Sequence, residues 1–363
     1  MFNTAKKAML AAAMLGMLAP AAFADDAAKS TAKFGYDGYL DASYNYDGNA
    51  KNGNLGINQF GLDVNASDDA YGIKAMASLV HSTYVNTGVG INVDYISIDQ
   101  AFADKSFFDG MLEAKIGRFY TLVGNEVVPA PKNANETYSL LFDAEPVKHD
   151  GVVLTYNPLK SLSVSGWAAN NVEQLYPAAA GFVVANDSYS KDFGGQANYT
   201  LGNLNVIGNY YFEPVLSGLY DKAHIINGIA SYKLSDTLSF AGEYLYRTLL
   251  PNSTYTNPSS IKDQGYSLYS TYTLGSFSVN PRFSQYFYPD GNYDFSVDNG
   301  STYVNAPQVE QYTLTLKYAF GSLTAYLEGN VYTTPKGYDA FSNGSSTAVG
   351  AKTNVLAGAN YQF

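Results

Sequence analysis

The sequence has no cysteine and a single tryptophan, Trp167. Without thiols it carries no disulfide framework, iron–sulfur cluster or thiol nucleophile. Charge is also scarce. Asp, Glu, Lys and Arg make up 15% of the chain, against ~25% in ordinary soluble domains. Basic residues are the rarer kind, 21 against 32 acidic ones. The resulting net charge of −11 argues against a nucleic-acid binder that tracks phosphates. The three histidines, His81, His149 and His224, are too scattered for a metal cluster, and no Gly-rich phosphate loop, zinc spacing or EF-hand loop is present. His149 stands beside Asp150, but adjacent residues of a strand face opposite sides, and no nucleophile signature accompanies the pair. These absences predict neither an enzyme nor a cofactor-dependent protein.

Aromatic residues are what the chain has in excess, with 33 Tyr and 20 Phe. Mean hydropathy is nevertheless −0.14. Such a chain is too aromatic for disorder and too polar for a bundle of membrane helices.

The first residues suggest export. Lys6 and Lys7 precede an apolar stretch from Ala8 to Ala19, and Ala22-Phe23-Ala24 has the small-x-small form of a signal-peptidase site. The stretch is shorter than the ~20 residues of a spanning helix. We therefore expect a signal peptide over 1–24, cleaved after Ala24, and one mature domain over 25–363.

Strict alternation runs along most of that domain. In one segment Tyr312, Leu314, Leu316, Tyr318 and Phe320 oppose Gln311, Thr313, Thr315 and Lys317. Period two places the two sets on opposite faces of a strand. Sixteen such segments are expected, at 34–46, 55–66, 71–81, 93–102, 110–119, 149–157, 161–171, 190–200, 203–213, 222–234, 237–248, 263–274, 276–288, 308–320, 322–333 and 350–363. Their lengths suit a tilted strand crossing a bilayer in ~9–11 residues. Tight turns such as Gly275-Ser276 and Gly321-Ser322 alternate with long polar stretches at 171–190, 249–262, 289–307 and 334–349. Tyr and Phe gather near strand ends. All this predicts an antiparallel, up-and-down transmembrane β-barrel in the bacterial outer membrane, with short periplasmic turns and long outer loops. Pro281 falls inside one strand and Gln100 disturbs the alternation of another, so fourteen strands is the alternative count.

Residues 117–156 are the most distinctive. Gly117-Arg118-Phe119, Gly124-Asn125-Glu126-Val127, Pro131, Asn135, Tyr138-Ser139, Phe142, Glu145-Pro146, His149, Gly151-Val152 and Tyr156 resemble the OmpL-like family of outer-membrane β-barrel porins. The resemblance implies a passive channel and leaves the solute open. Asp150 and Leu140 stand where the family more often has Thr or Ser and Arg, which leaves residue-level roles open. The last residues, Ala359-Asn360-Tyr361-Gln362-Phe363, resemble the terminal strand of bacterial barrels, whose aromatic pattern (here Tyr361 and Phe363) the outer-membrane assembly machinery reads.

A porin passing small hydrophilic solutes or ions, weakly cation-selective, is the first expectation. A structural or adhesive surface barrel with ligand-binding outer loops is the second. Sixteen strands leave an aqueous lumen. The connection 120–148 is expected to fold into it, since Leu122, Val123, Val127, Val128, Leu140, Leu141 and Phe142 give it apolar surface to bury. Glu126, Glu136, Asp143 and Glu145 would then line a constriction opposite Arg247, Arg282 and Lys317. Arg118 shares parity with Leu112 and Ile116 and joins them only if a bulge turns it inward. Expected partners are outer-membrane lipid, the assembly machinery and the solutes, with no nucleic acid or cofactor. A homo-trimer is compatible with the pattern, although no outward residues stand out as an interface.

Overall fold

A computed structural model describes residues 33–48, 51–68, 72–86, 91–174, 191–214, 220–251, 260–288, 294–297, 302–305, 307–335 and 351–363. The expected signal peptide, with Ala22 and Ala24, lies outside these residues, as do parts of the long outer connections.

The strands in chain order are β1 (Lys33–Asp47), β2 (Asn52–Asp68), β3 (Ile73–Asn86), β4 (Ile91–Phe107), β5 (Leu112–Tyr120), β6 (Pro146–Leu159), β7 (Leu162–Gln174), β8 (Lys191–Leu201) and β9 (Leu204–Glu213). There follow β10 (Tyr220–Lys233), β11 (Leu238–Pro251), β12 (Ile261–Leu274), β13 (Phe277–Phe287), β14 (Asp294–Val297), β15 (Thr302–Asn305), β16 (Gln308–Phe320), β17 (Leu323–Thr333) and β18 (Ala351–Gln362). All but β14 and β15 form one closed barrel in which each strand pairs antiparallel with the next, and β1 meets β18. β14 and β15 make a separate hairpin between β13 and β16, a feature the expected loop at 289–307 did not include.

The solvent on each face inverts the usual burial rule. On β16 the apolar Tyr312 and Leu314 are 47% exposed, whereas Gln311, Thr313 and Thr315 are buried. A soluble sheet would do the reverse. Here the outward set faces lipid and the polar set packs inside the barrel. In Gly275-Ser276 and Gly321-Ser322 the glycine comes first, with φ of +61° and +64°. Two-residue hairpins reserve that position for glycine.

The closing pair β1–β18 runs from Asp47↔Asn354 to Tyr39↔Gln362 and extends to the last residue. Gly38 and Phe363 exchange backbone hydrogen bonds of 3.0 Å in both directions. A Cβ at Gly38 would lie 2.6 Å from the Phe363 ring, so this glycine leaves room for it. Tyr361 and Phe363 both project outward.

The two irregularities behind the fourteen-strand alternative have different causes. Pro281 does not break β13. The register to β12 is the same at Tyr269↔Arg282 and Tyr272↔Val279, and the ladder to β16 runs through Pro281↔Leu314. Its missing N–H falls in the unpaired gap on the β12 side. At Gln100 the cause is a bulge, because Ser78 pairs with Gln100 and Leu79 with Ile98, leaving Asp99 as the extra residue.

Candidate functional site

β5 ends at Tyr120 and β6 begins at Pro146, and the segment between them, 121–145, lies against the inside of the barrel. Its sequence explains this. Val123, Leu140, Leu141 and Ala144 are buried in one apolar cluster with the inward residues Phe119, Val153, Trp167, Tyr211, Leu245 and Tyr286. Two short 3-10 turns, Ala130–Lys132 and Phe142–Ala144, keep the segment compact. Asn133 ties one bend by accepting from Val127 N–H (2.9 Å) and donating to Val127 C=O (2.7 Å). Tyr138 stacks on Phe142 with ring centroids 4.0 Å apart. Gly124 has φ +98°, and a Cβ there would meet Glu145 Oε2 at 2.0 Å, so only glycine fits.

Polar contacts fasten the segment to the wall from one side of the barrel to the other. Gln196 on β8 donates to Leu122 C=O (2.8 Å), and Glu243 on β11 accepts from Asn125 N–H (3.0 Å). Arg282 on β13 holds Glu126 Oε1 at 2.6 Å and the carbonyls of Thr137 (2.5 Å) and Tyr138 (2.9 Å). Glu328 on β17 accepts the backbone N–H groups of Glu136 (2.6 Å) and Thr137 (3.1 Å). Lys317 on β16 pairs with Glu136 at 2.6 Å and donates to Asn133 C=O at 2.8 Å. On the far side, β2 supplies Asp63 to Lys132 (3.5 Å) and Gln59 to Ala130 N–H (3.2 Å). A cavity of about 380 Å³ lies against the same segment on the tight-turn side, lined by Asn125, Glu126, Lys132 and Asn135 and by Ser231, Lys233 and Tyr269.

Burial sets the proton affinity of two of the segment's acids. Glu136 is pushed up to about 7, because the cost of burying the charge outweighs the pull of Lys317. Glu145 is raised well above the ordinary value by burial and by the neighbouring Glu243 carboxylate. Two carboxyls in contact hold one proton between them more readily than two negative charges.

The expected residues thus fall into three groups. Glu126 with Arg282 and Glu136 with Lys317 meet directly. Arg247 instead pairs with Asp263 on the neighbouring strand, at 2.6 Å, and Glu145 lies against Glu243; Asp143 is half-buried in the second 3-10 turn. Arg118 is the correction. β5 keeps an unshifted register with both neighbours at this position, so no bulge turns the side chain inward. It stays on the outward face with Ile116, bonded to Asp150 at 2.7 and 2.8 Å.

Some contacting residues were not singled out from the sequence. Asp263 was the first residue of its expected strand, and its parity with Gly265 and Ser267 already marks it as inward. Lys148 meets the bulge residue Asp99 at 2.7 Å, a contact that depends on two irregular strands. His149, which the sequence set beside Asp150, is fully buried and bonds Asp192 instead, at 2.9 Å, among the rings of Phe119, Trp167 and Tyr211.

A closed sixteen-stranded barrel with apolar residues outside and an ion-paired segment held within defines the class of outer-membrane porin-type barrels. The family model of the OmpL-like beta-barrel porins (beta-barrel porin-2) matches residues 33–363. The chain belongs to this family and is an outer-membrane porin. Solved structures share the fold at low identity. The anion-selective porin of Comamonas acidovorans is 14% identical, with a TM-score of 0.63 over 92% of this chain and 100% of that one. OmpT of Vibrio cholerae in its trimer form is 13% identical, with a TM-score of 0.62 over 92% and 99%. The outer membrane channel DcaP of Acinetobacter baumannii is 14% identical, with a TM-score of 0.61 over 92% and 97%. No curated protein matches the sequence. The family is one of channels rather than enzymes.

Proposed function

We propose that this porin is a passive diffusion channel for small hydrophilic solutes or ions, narrowed by residues 121–145 and weakly cation-selective. One observation carries the reading: the segment is bonded to β8, β11 and β13 at one side and to β2 and β17 at the other. Solutes then pass beside a rigid, charged strut, and fixed carboxylates in a narrow pore concentrate cations. The acids Glu126, Glu136, Asp143 and Glu145 set the preference, moderated by Arg282 and Lys317, while Arg247 acts through Asp263. Reversal potentials in a KCl gradient test this. The parent should favour K⁺ modestly, and a variant with the four acids changed to Gln or Asn should lose that preference. Equal reversal potentials for the two would remove the selectivity reading.

Three further features complete the proposal. Residues 1–24 act as a cleaved export signal. The outward Tyr361 and Phe363 present the assembly signal during folding. The barrel self-associates, a reading supported by the trimer form of the similarly folded OmpT.

A further inference from the structure

The cavity of about 380 Å³ beside the inner segment has a lining whose charges are already matched. Glu126 meets Arg282 at 2.6 Å, Lys132 meets Asp63 on β2 at 3.5 Å, and Lys233 meets Asp236 in the turn after β10 at 2.7 Å. Asn135 is occupied as well, donating to Asn280 C=O at 2.9 Å and to Thr315 Oγ1 at 2.7 Å. A charged solute entering here would compete with these pairs for its partners.

The groups left over are uncharged. Ser231 on β10, Ser239 on β11 and Thr271 on β12 face inward, since they share parity with the buried Ile229, Glu243 and Tyr269 of the same strands. Their three hydroxyls, and the side-chain amide of Asn125 on the inner segment, make no hydrogen bond within the described residues. Ser239 and Thr271 are register partners, which puts their Cβ atoms ~5 Å apart, and Ser231 is the diagonal neighbour of Ser239, ~7 Å away. Tyr269 adds ring carbons to the lining while its hydroxyl donates to Glu243 at 3.2 Å.

We infer that this cavity is a subsite for an uncharged, polyhydroxylated solute of mono- or disaccharide size, held by Ser231, Ser239, Thr271 and Asn125. This rests on the diffusion-channel reading above and adds a class of solute and a place for it. The lining selects the class. A hydroxyl both donates and accepts, so wall hydroxyls spread over ~5–7 Å match a ligand with hydroxyls at several positions. The Tyr269 ring offers an apolar surface for the C–H edges of a sugar. A carboxylate or ammonium group instead finds the three charged residues of the lining already paired. Size agrees, because about 380 Å³ falls at the small end of the ~300–1,000 Å³ of ligand pockets, with room for roughly a dozen waters to be displaced. The place suits passage too, since a solute that has passed residues 121–145 from the loop side meets this wall next.

Ion current through the full chain in planar bilayers, titrated with maltose and separately with gluconate, tests the assignment. Heat-modifiable mobility verifies that each variant folds. The expected result is a current that falls to a plateau as maltose rises. A triple variant, Ser231→Ala with Ser239→Ala and Thr271→Val, should raise the half-saturating maltose concentration at least tenfold. Thr271→Val alone, which keeps the side-chain shape and removes only the hydroxyl, should raise it severalfold. A parent that conducts but whose current falls only in proportion to maltose, as added viscosity alone would make it, overturns the subsite while the channel reading stands. Saturation that is unchanged in both variants overturns the location. Gluconate saturating at a lower concentration than maltose overturns the uncharged class. A folded parent that never conducts overturns the channel reading and the subsite with it.

Discussion

Replacing Arg282 with alanine removes the contact that holds the inner segment most firmly. The guanidinium is fully buried and joins β13 to Glu126 and to the carbonyls of Thr137 and Tyr138, with a further bond to Thr313 Oγ1 at 3.1 Å. Its loss leaves Glu126, 7% exposed, without its cation, holding the Ser139 N–H at 2.6 Å. Breaking one side of a buried pair costs about 3–5 kcal/mol, because the remaining charge keeps its desolvation penalty. That shifts the ratio of docked to released segment by roughly two to three and a half orders of magnitude. Single-channel recording should then show a larger and noisier conductance, with barrel folding unchanged. A double variant, Arg282→Met with Glu126→Met, removes both charges and should recover most of the parental quietness. If Arg282→Ala alone conducts as quietly as the parent and at the same level, the ion pair does not anchor a constriction.

Three other outcomes follow from the same geometry. Glu136 is protonated below about 7 and charged above it, so cation preference should rise as pH increases from 6 to 8. The sign for docking is opposite: a carboxyl raised above its ordinary value of 4.5 stabilises the packed segment least once pH passes the raised value. Glu136→Gln should flatten the selectivity step, as measured by reversal potentials across that range. Gly124→Ala forces a side chain into a positive-φ position against Glu145, costing about 1–2 kcal/mol from backbone strain alone, and should increase proteolytic nicking within 121–145. Mass spectrometry of membrane-extracted protein should find Asp25 as the mature N-terminus; retention of Met1 would count against the export reading.

The barrel was legible because its solvent imposes period two along every wall strand, and the tight turns fix where each strand ends. Sixteen strands could be counted without knowing any contact. The sequence was less informative where a residue's role depends on its neighbours. Pro281 looked like a break because a proline lacks a donor, yet the ladder can leave one side unpaired and continue on the other. Asp99 shifted the parity of β4 because a bulge is a property of two strands. For the inner segment, apolar content and acids were visible, and Glu126 with Arg282 and Glu136 with Lys317 were among the residues named. Their individual pairing was not, since the partners are separated by more than 150 residues of chain. Parity alone placed Arg118 outward, and only the register showed Asp150, Asn170 and Lys191 beside it.

The central claim is that residues 121–145 narrow a conducting barrel, and the most direct measurement compares single-channel conductance of the parent with that of a variant lacking residues 126–142. The parent should form steady, ohmic channels. The shortened protein should fold to the same heat-modifiable barrel and conduct severalfold more, because the strut and its ion pairs are gone while the wall remains. A folded variant with parental conductance, or a parent that never conducts, would contradict the account.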